Sequence, residues 1–211
     1  MLEYLAADIA VIQECARPAV ESDRALWFGD SPRQGIAVLA SPGFRLTALA
    51  PLPDVPKFMV PVRVSGQLDF TLFAVWAKRN PTFPYVEGVV RAVQLYRELI
   101  SGSATVLLGD FNSNRIWDRE HPADASHSAL VAQLGSMGLV SAYHAFHDEP
   151  HGAESLPTHY FRWSEKRPFH IDYCFLPDAW KNRITQVEVG SFDEWQPFSD
   201  HRPVIVDIAE A

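Results

Sequence analysis

The sequence predicts an α/β (α+β) domain in which two packed sheets carry helices on the outside, and three observations predict it. Short apolar runs punctuated by Pro and Gly recur along all 211 residues and have the length of strands. Only two segments, 86–100 and 126–137, read as amphipathic helices. Strand-rich ends flank this helix-containing middle, which is the order expected of sheets packed together under a helical cover.

Strands are expected near 9–13, 35–40, 44–49, 57–64 and 68–75, and again at 105–108, 171–176, 184–189 and 204–208. In 86–100, Val89, Val90, Val93, Tyr96, Leu99 and Ile100 fall at helical spacing, with Glu87, Arg91, Arg97 and Glu98 elsewhere on the circumference. Gly138 is a stop signal for the second helix. The polar stretches 112–125 and 146–158 read as loops. No repeat, low-complexity tract or linker divides the chain, so residues 1–211 are expected to form one domain.

Composition narrows the function. A hydrophobic fraction of 47% fits a globular protein. The longest apolar stretches, such as 36–40 and 106–108, fall far short of the roughly 20 residues of a membrane span. Residues 1–6 carry Glu3 and lack both a basic start and a long apolar core, so they are not a secretory signal, and a cytoplasmic location is expected. Cys15 and Cys174 lie in expected strands as buried thiols and form no Cys/His cluster. The formal net charge of −8 argues against a broadly basic nucleic-acid surface, although it leaves local contacts open.

Four short motifs carry the chemistry, each at a strand end: Gln13-Glu14, Gly109-Asp110-Phe111-Asn112, His170-Ile171-Asp172-Tyr173 and Ser199-Asp200-His201-Arg202-Pro203. Carboxylates, an amide and an imidazole delivered to one place can hold a divalent cation and attack a phosphate ester. Asp110 could orient a water while Asn112 donates to a phosphoryl oxygen, though Gly, Asp and Asn are also turn formers. Asp172 could stand behind His201 and favour the charged ring. Glu14 ends an apolar strand, and a carboxylate buried there would need a cation or donors to compensate it. Oxygen donors beside a phosphate favour Mg²⁺ or Mn²⁺ over zinc. His121, His127, His144, His147 and His151 have no such company and are read as surface or hydrogen-bonded structural histidines.

Together the segments "ADIAVIQE", "LLGDFNSN", "HIDYCFLP" and "SDHRPVIVDI" resemble the endonuclease/exonuclease/phosphatase superfamily, which includes deoxyribonuclease I-like and exonuclease III-like enzymes. The resemblance spans nearly the whole chain, with the motifs in family order. It implies a four-layered α/β sandwich with two packed, mainly antiparallel sheets and a metal-dependent phosphoesterase site at their strand ends. It implies Glu14 and Asp200 as metal residues. Catalytic roles fall to His201, Asp172, Asp110 and Asn112, with His201 left open between base and stabiliser.

The chain departs from the family pattern twice. There is no asparagine before Asn80, so the family's Trp-Asn-x-Asn-like first strand is expected to be absent, and residues 1–7 resemble the end of the helix that follows it. The domain is therefore expected to be truncated at its N-terminus, and less stable and less active than an extended form. Where relatives place a His or Tyr near the leaving group, this chain has Trp76, which cannot relay a proton. Trp76, Lys78, Asn80 and His170 are accordingly expected to contact substrate, with His159 a further pocket candidate.

The expected function is hydrolysis of a phosphate ester by activated water, with DNA or RNA the leading substrate. A small-molecule or phospholipid-headgroup phosphatase is the alternative, and a catalytically weakened binding protein that retains the fold is a third reading. Oligomeric state is not legible in the sequence.

Overall fold

The computed structural model describes Leu5, residues 7–79 and residues 82–209. Asn80 and most of the expected N-terminal helix end over 1–7 lie outside the described residues. Strands β1 (Ile9–Cys15), β2 (Ala25–Ser31) and β3 (Gln34–Ala40) form a three-stranded antiparallel sheet in the order β1-β3-β2. Strands β4 (Phe44–Ala48), β5 (Met59–Gly66), β6 (Phe70–Trp76), β7 (Thr105–Asp110), β8 (Leu139–Ser141) and β11 (Asp172–Pro177) build a six-stranded sheet in the order β4-β5-β6-β7-β11-β8. Two further two-stranded pairs are β9 (His159–Tyr160) with β10 (Pro168–Phe169), and β12 (Ile184–Val189) with β13 (Val204–Ile208).

Strand pairing is antiparallel except between β6 and β7. A parallel pair needs a long crossover, and α1 (Val86–Leu95) with α2 (Arg97–Ser101) supplies it. The expected single helix over 86–100 breaks at Tyr96, whose hydroxyl accepts from the Leu52 N–H at 3.2 Å. Val86, Val89, Val90 and Val93 of α1 are buried on the sheet; full burial of each contributes about 1.5–3 kcal/mol. Helix α3 (His127–Ser136) begins at Ser126, whose hydroxyl accepts from Ala129 N, and stops at Gly138, whose φ of +77° suits glycine. The short helices α4 (Ala142–His147) and α5 (Phe192–Trp195) were not foreseen, nor were β2, β8, β9 and β10.

Alternation along the central strands divides the core. Phe73, Leu107, Tyr173 and Phe175 face the helices, while Leu72, Ala74, Val106, Cys174 and Leu176 face the smaller sheets. The result is a mixed α/β fold with packed sheets flanked by helices. Both cysteines are free and lie in strands, and burial pushes the Cys174 thiol up to about 12. None of the described helices is long and apolar enough to cross a membrane.

Candidate active site

Three neighbouring strands end in one row. Asp110 closes β7, Asp172 opens β11 directly opposite it, and Trp76 ends β6 beside Asp110 on the other side. All three share the residue parity that faces the smaller sheets. Like charges placed directly opposite each other in a sheet are destabilising, so the Asp110–Asp172 pair must be held by its surroundings.

Those surroundings are specific. Asn112 adopts φ +45°, a conformation asparagine tolerates better than most residues, and folds back on Asp110. Its backbone N–H donates to Asp110 Oδ1 at 2.7 Å, and its Nδ2 donates to Asp110 Oδ2 at 2.6 Å and to Ala77 O at 3.0 Å. His201 Nδ1 lies 3.1 and 3.0 Å from the two Asp172 oxygens. The Thr158 hydroxyl accepts from the N–H groups of Ile171 and Asp172, which fixes the start of β11. Gly109 lets β7 approach its neighbours: it has φ +141°, and a Cβ there would sit 2.1 Å from Val75 O. Gln13 Nε2, also beside that position, donates to the same carbonyl at 3.2 Å and ties β1 to β6.

The electrostatics follow from burial and charge. Burial pushes the Asp110 carboxyl well above its usual range and the Asp172 charge adds to this, while His201 and the Asn112 N–H act against it. Burial alone would lower His201, but the carboxylates of Asp172, Asp110 and Asp200 outweigh it and hold the imidazole at about 10. His201 is therefore an imidazolium at neutral pH. Its neighbour His159, at 4.5 Å between ring centroids, is pushed the other way by burial and by the His201 charge.

Two overlapping donor groups are present, Asp110/Asp172/His201 and His159/Asp200/His201, and within each the possible ligand atoms lie within 4.8 Å of one another. Among the described residues no Lys or Arg forms an ion pair with Asp110, Asp172 or Asp200. The carboxylates of this set, rather than the cationic His201 ring, offer the oxygen donors that fit a divalent metal cation. Glu14 lies close enough for its charge to raise Asp110, at a bulge in β1 where its φ is +56°. It is exposed rather than buried, and Gln34 Nε2 donates to its Oε2 at 2.9 Å. The bulge that aims it, not desolvation, is what distinguishes this carboxylate.

The other expected contacts separate. Trp76 is buried, and Lys78 Nζ stands 4.0 Å above its ring centroid and 4.8 Å from that of Phe58, at one wall of a cavity of about 460 Å³ beside the row. Asn80 lies outside the described residues. His170 is buried on the helix side, its Nδ1 2.7 Å from Leu156 O and its ring against Tyr143 and Tyr173, so it does not join His201. Sequence reasoning missed Thr158, because one threonine in a loop carries no spacing signal. It also missed that the β9–β10 turn roots in the site: Tyr160 N–H donates to Asp200 O at 2.8 Å, and His159 bridges to His201.

No protein-family model and no curated protein matches the chain. Solved structures do. The chain is similar to a 3'-5' exonuclease from Neisseria meningitidis, with 23% identity and TM-score 0.65 over 95% of this chain and 89% of that one. It is similar to an AP endonuclease from Archaeoglobus fulgidus, with 17% identity and TM-score 0.68 over 98% and 91%. An AP endonuclease from Leishmania major matches at 11% identity and TM-score 0.71 over 100% and 80%. These likenesses establish the fold: it is a mixed α/β fold of deoxyribonuclease I-like architecture.

Proposed function

We propose that this chain is a divalent-metal-dependent phosphodiesterase of the nuclease kind. The observation that carries this reading is the Asp110–Asp172 pair, opposed across β7 and β11, with the His201 imidazole 3.0 Å from Asp172. A carboxylate whose proton affinity is raised by burial is suited to take a proton from water, which assigns Asp110 the role of base. Asn112 fixes both Asp110 oxygens and thereby the direction of attack. Asp172 occupies His201 Nδ1, which leaves Nε2–H of the imidazolium to donate to a phosphoryl oxygen as charge develops there. His201 thus acts as stabiliser rather than base. Water oxygen bonds to phosphorus while its proton passes to Asp110; the ester P–O bond breaks, and the leaving oxygen departs with the bonding pair and takes a proton from solvent.

Glu14 and Asp200 would hold the cation, and Mg²⁺ or Mn²⁺ suits their oxygen donors; once bound it would polarise the phosphate and offset its charge. Trp76 and Lys78 would line the leaving-group side.

Nucleic acid is the favoured substrate because the β9–β10 turn rooted in the site presents Phe161, Arg162, Trp163, Lys166 and Arg167 to solvent. Phe161 is 41% and Trp163 46% exposed, with Arg162 and Arg167 against the Phe161 ring, a combination of aromatic and cationic groups that suits unpaired bases and their phosphates. The net charge of −8 argues against a broadly basic surface and leaves only local contacts of this kind, and a cytoplasmic location fits such a substrate. The test is hydrolysis of bis-p-nitrophenyl phosphate, plasmid DNA and abasic DNA with Mg²⁺, Mn²⁺ or EDTA, alongside His201→Ala. Metal-dependent turnover lost in the variant is expected. Turnover in EDTA equal to that in Mg²⁺, or unchanged by the substitution, would overturn the reading.

A further inference from the structure

The cavity of about 460 Å³ beside the catalytic row falls within the roughly 300–1,000 Å³ of ligand sites. Two chain segments build it. Residues 54–58, which lead into β5, form one wall, and residues 82–85, which lead into α1, form another. They converge at Gly88, where an added Cβ would meet Phe83 and Pro56 at 3.5 and 3.6 Å. The floor is the end of β6, with Trp76 and then Ala77.

Ala77 ties that floor to the catalytic groups. Its N–H donates to Asp110 O at 2.8 Å, and its carbonyl accepts from Asn112 Nδ2 at 3.0 Å. An occupant of the cavity therefore rests on the residue bonded to the proposed base and to its orienting amide.

Where the lining can be reached it is largely apolar. Val55, Pro56 and Phe58 are half-buried, and Tyr85 is 38% exposed. Phe58 and Tyr85 hold φ at +67° and +44°, a region that bulky residues avoid unless their surroundings hold them there. The same region is taken by Glu14 and Asn112 in the catalytic row and by Arg162 and Trp163 in the β9–β10 turn. Backbone held in this way clusters at active sites and ligand clamps.

Charge narrows the occupant. Lys57 is paired with Asp30 at 2.8 Å, whereas among the described residues Lys78 and Arg79 form no ion pair. Asp54 is the other anion of the lining, outnumbered by these two cations. Lys78 Nζ already stands over the Phe58 and Trp76 rings, so a second cation, such as a quaternary ammonium headgroup, would meet repulsion where it needs an open ring face. A flat, largely apolar body that carries an anion fits both the walls and the rim.

We propose that this cavity holds the nucleotide on the leaving-group side of the scissile bond, with its unpaired base against Tyr85, Val55 and Pro56 and its own phosphate at Lys78 and Arg79. The assignment rests on the nuclease reading and adds to it a requirement for a base on one side of the cut. Because every base has a flat face, such a wall tolerates sequence. It selects an unpaired base rather than a particular one.

The test is calorimetric titration of the full chain in EDTA with deoxyadenosine 5'- and 3'-monophosphates, and with deoxyribose 5-phosphate as the base-free probe. At least one nucleotide should bind about tenfold or more tightly than the sugar phosphate. In Tyr85→Ala that margin should shrink to about threefold or less, while in Arg79→Ala both probes should weaken together. Both side chains are exposed, so their loss should leave the fold intact. Equal affinity for nucleotide and sugar phosphate in wild type, or an unchanged margin in Tyr85→Ala, would overturn the proposal. Turnover is read on an oligonucleotide with one hydrolysable phosphodiester among methylphosphonate linkages. Removing the base from the leaving-side sugar should lower kcat/KM about tenfold in wild type and about threefold or less in Tyr85→Ala. Base-dependent binding without turnover of any phosphodiester would uphold the cavity and overturn the nuclease reading. Turnover indifferent to the leaving-side base would uphold the nuclease reading and overturn the cavity.

Discussion

The two faces of β11 hold histidines in opposite charge states within one strand's thickness. On the sheet side, His201 meets three carboxylates and is held cationic at about 10. On the helix side, His127 and His151 share one carboxylate, Glu154, with two other imidazoles, and burial drives them neutral, to about 4 and 3. Burial acts against the charged ring on both faces, so its sign does not separate the two environments. The ratio of carboxylates to imidazoles does, and strand alternation sorts Asp172 from Tyr173 to produce it.

The largest test of this contrast is catalytic. Asp110→Asn and His201→Ala should each lower kcat on bis-p-nitrophenyl phosphate by about 10²–10⁴, whereas Glu154→Gln should leave it within about threefold. A comparable loss in Glu154→Gln would merge the two faces into one functional unit.

Next in size is Gly109→Ala. A Cβ 2.1 Å from Val75 O at φ +141° clashes and strains the backbone, so a loss of about 3 kcal/mol or more in denaturant unfolding is expected. On the helix side, Tyr173→Phe removes a hydroxyl that bonds Ser113 O, His170 O and Asn114 Nδ2. It should cost about 1–3 kcal/mol and leave kcat nearly unchanged.

Substitution of both exposed rings, Phe161→Ala with Trp163→Ala, should raise KM for single-stranded DNA by about 10-fold or more, since stacking contributes about 1–3 kcal/mol per base. Turnover of the small phosphodiester should not move. An equal loss on both substrates would show that the turn shapes the site rather than grips nucleic acid.

The smallest effects are in pH. His201 has its folded value raised from 6.5 to about 10, so its contribution to stability is complete below pH 6.5 and is lost as pH rises towards 10. His151 and His127 have lowered values, so theirs is complete above 6.5 and is lost as pH falls towards 3–4. With chelator present, the melting temperature should peak between these limits. Asp172→Asn should flatten only the alkaline limb. A variant that flattens both limbs would show that the faces titrate together.

Much of this was legible in the chain. Nine strands were placed within about three residues at each end, because their short apolar runs stand out from the Pro, Gly and polar segments between them. Glu14, Asp110, Asp172 and Asp200-His201 stood out because each polar group follows or precedes such a run, where local pattern calls for another apolar residue. The edge strands β2 and β8 and the short helices α4 and α5 were not legible, since their stability comes from neighbours rather than from their own periodicity.

What the sequence determined by itself was the fold class and the acidic and imidazole groups at strand ends, because apolar period and its interruptions are local properties. Only the tertiary structure decided which of these groups meet. Register put Asp110 against Asp172, a bulge turned Glu14, and the turn of the chain before β11 put His170 against Tyr173, away from His201. His127, His144, His151 and Glu154 come from two helices and a loop with no common spacing. Their convergence on Tyr173 is a long-range packing outcome, which no reading of neighbouring residues can contain.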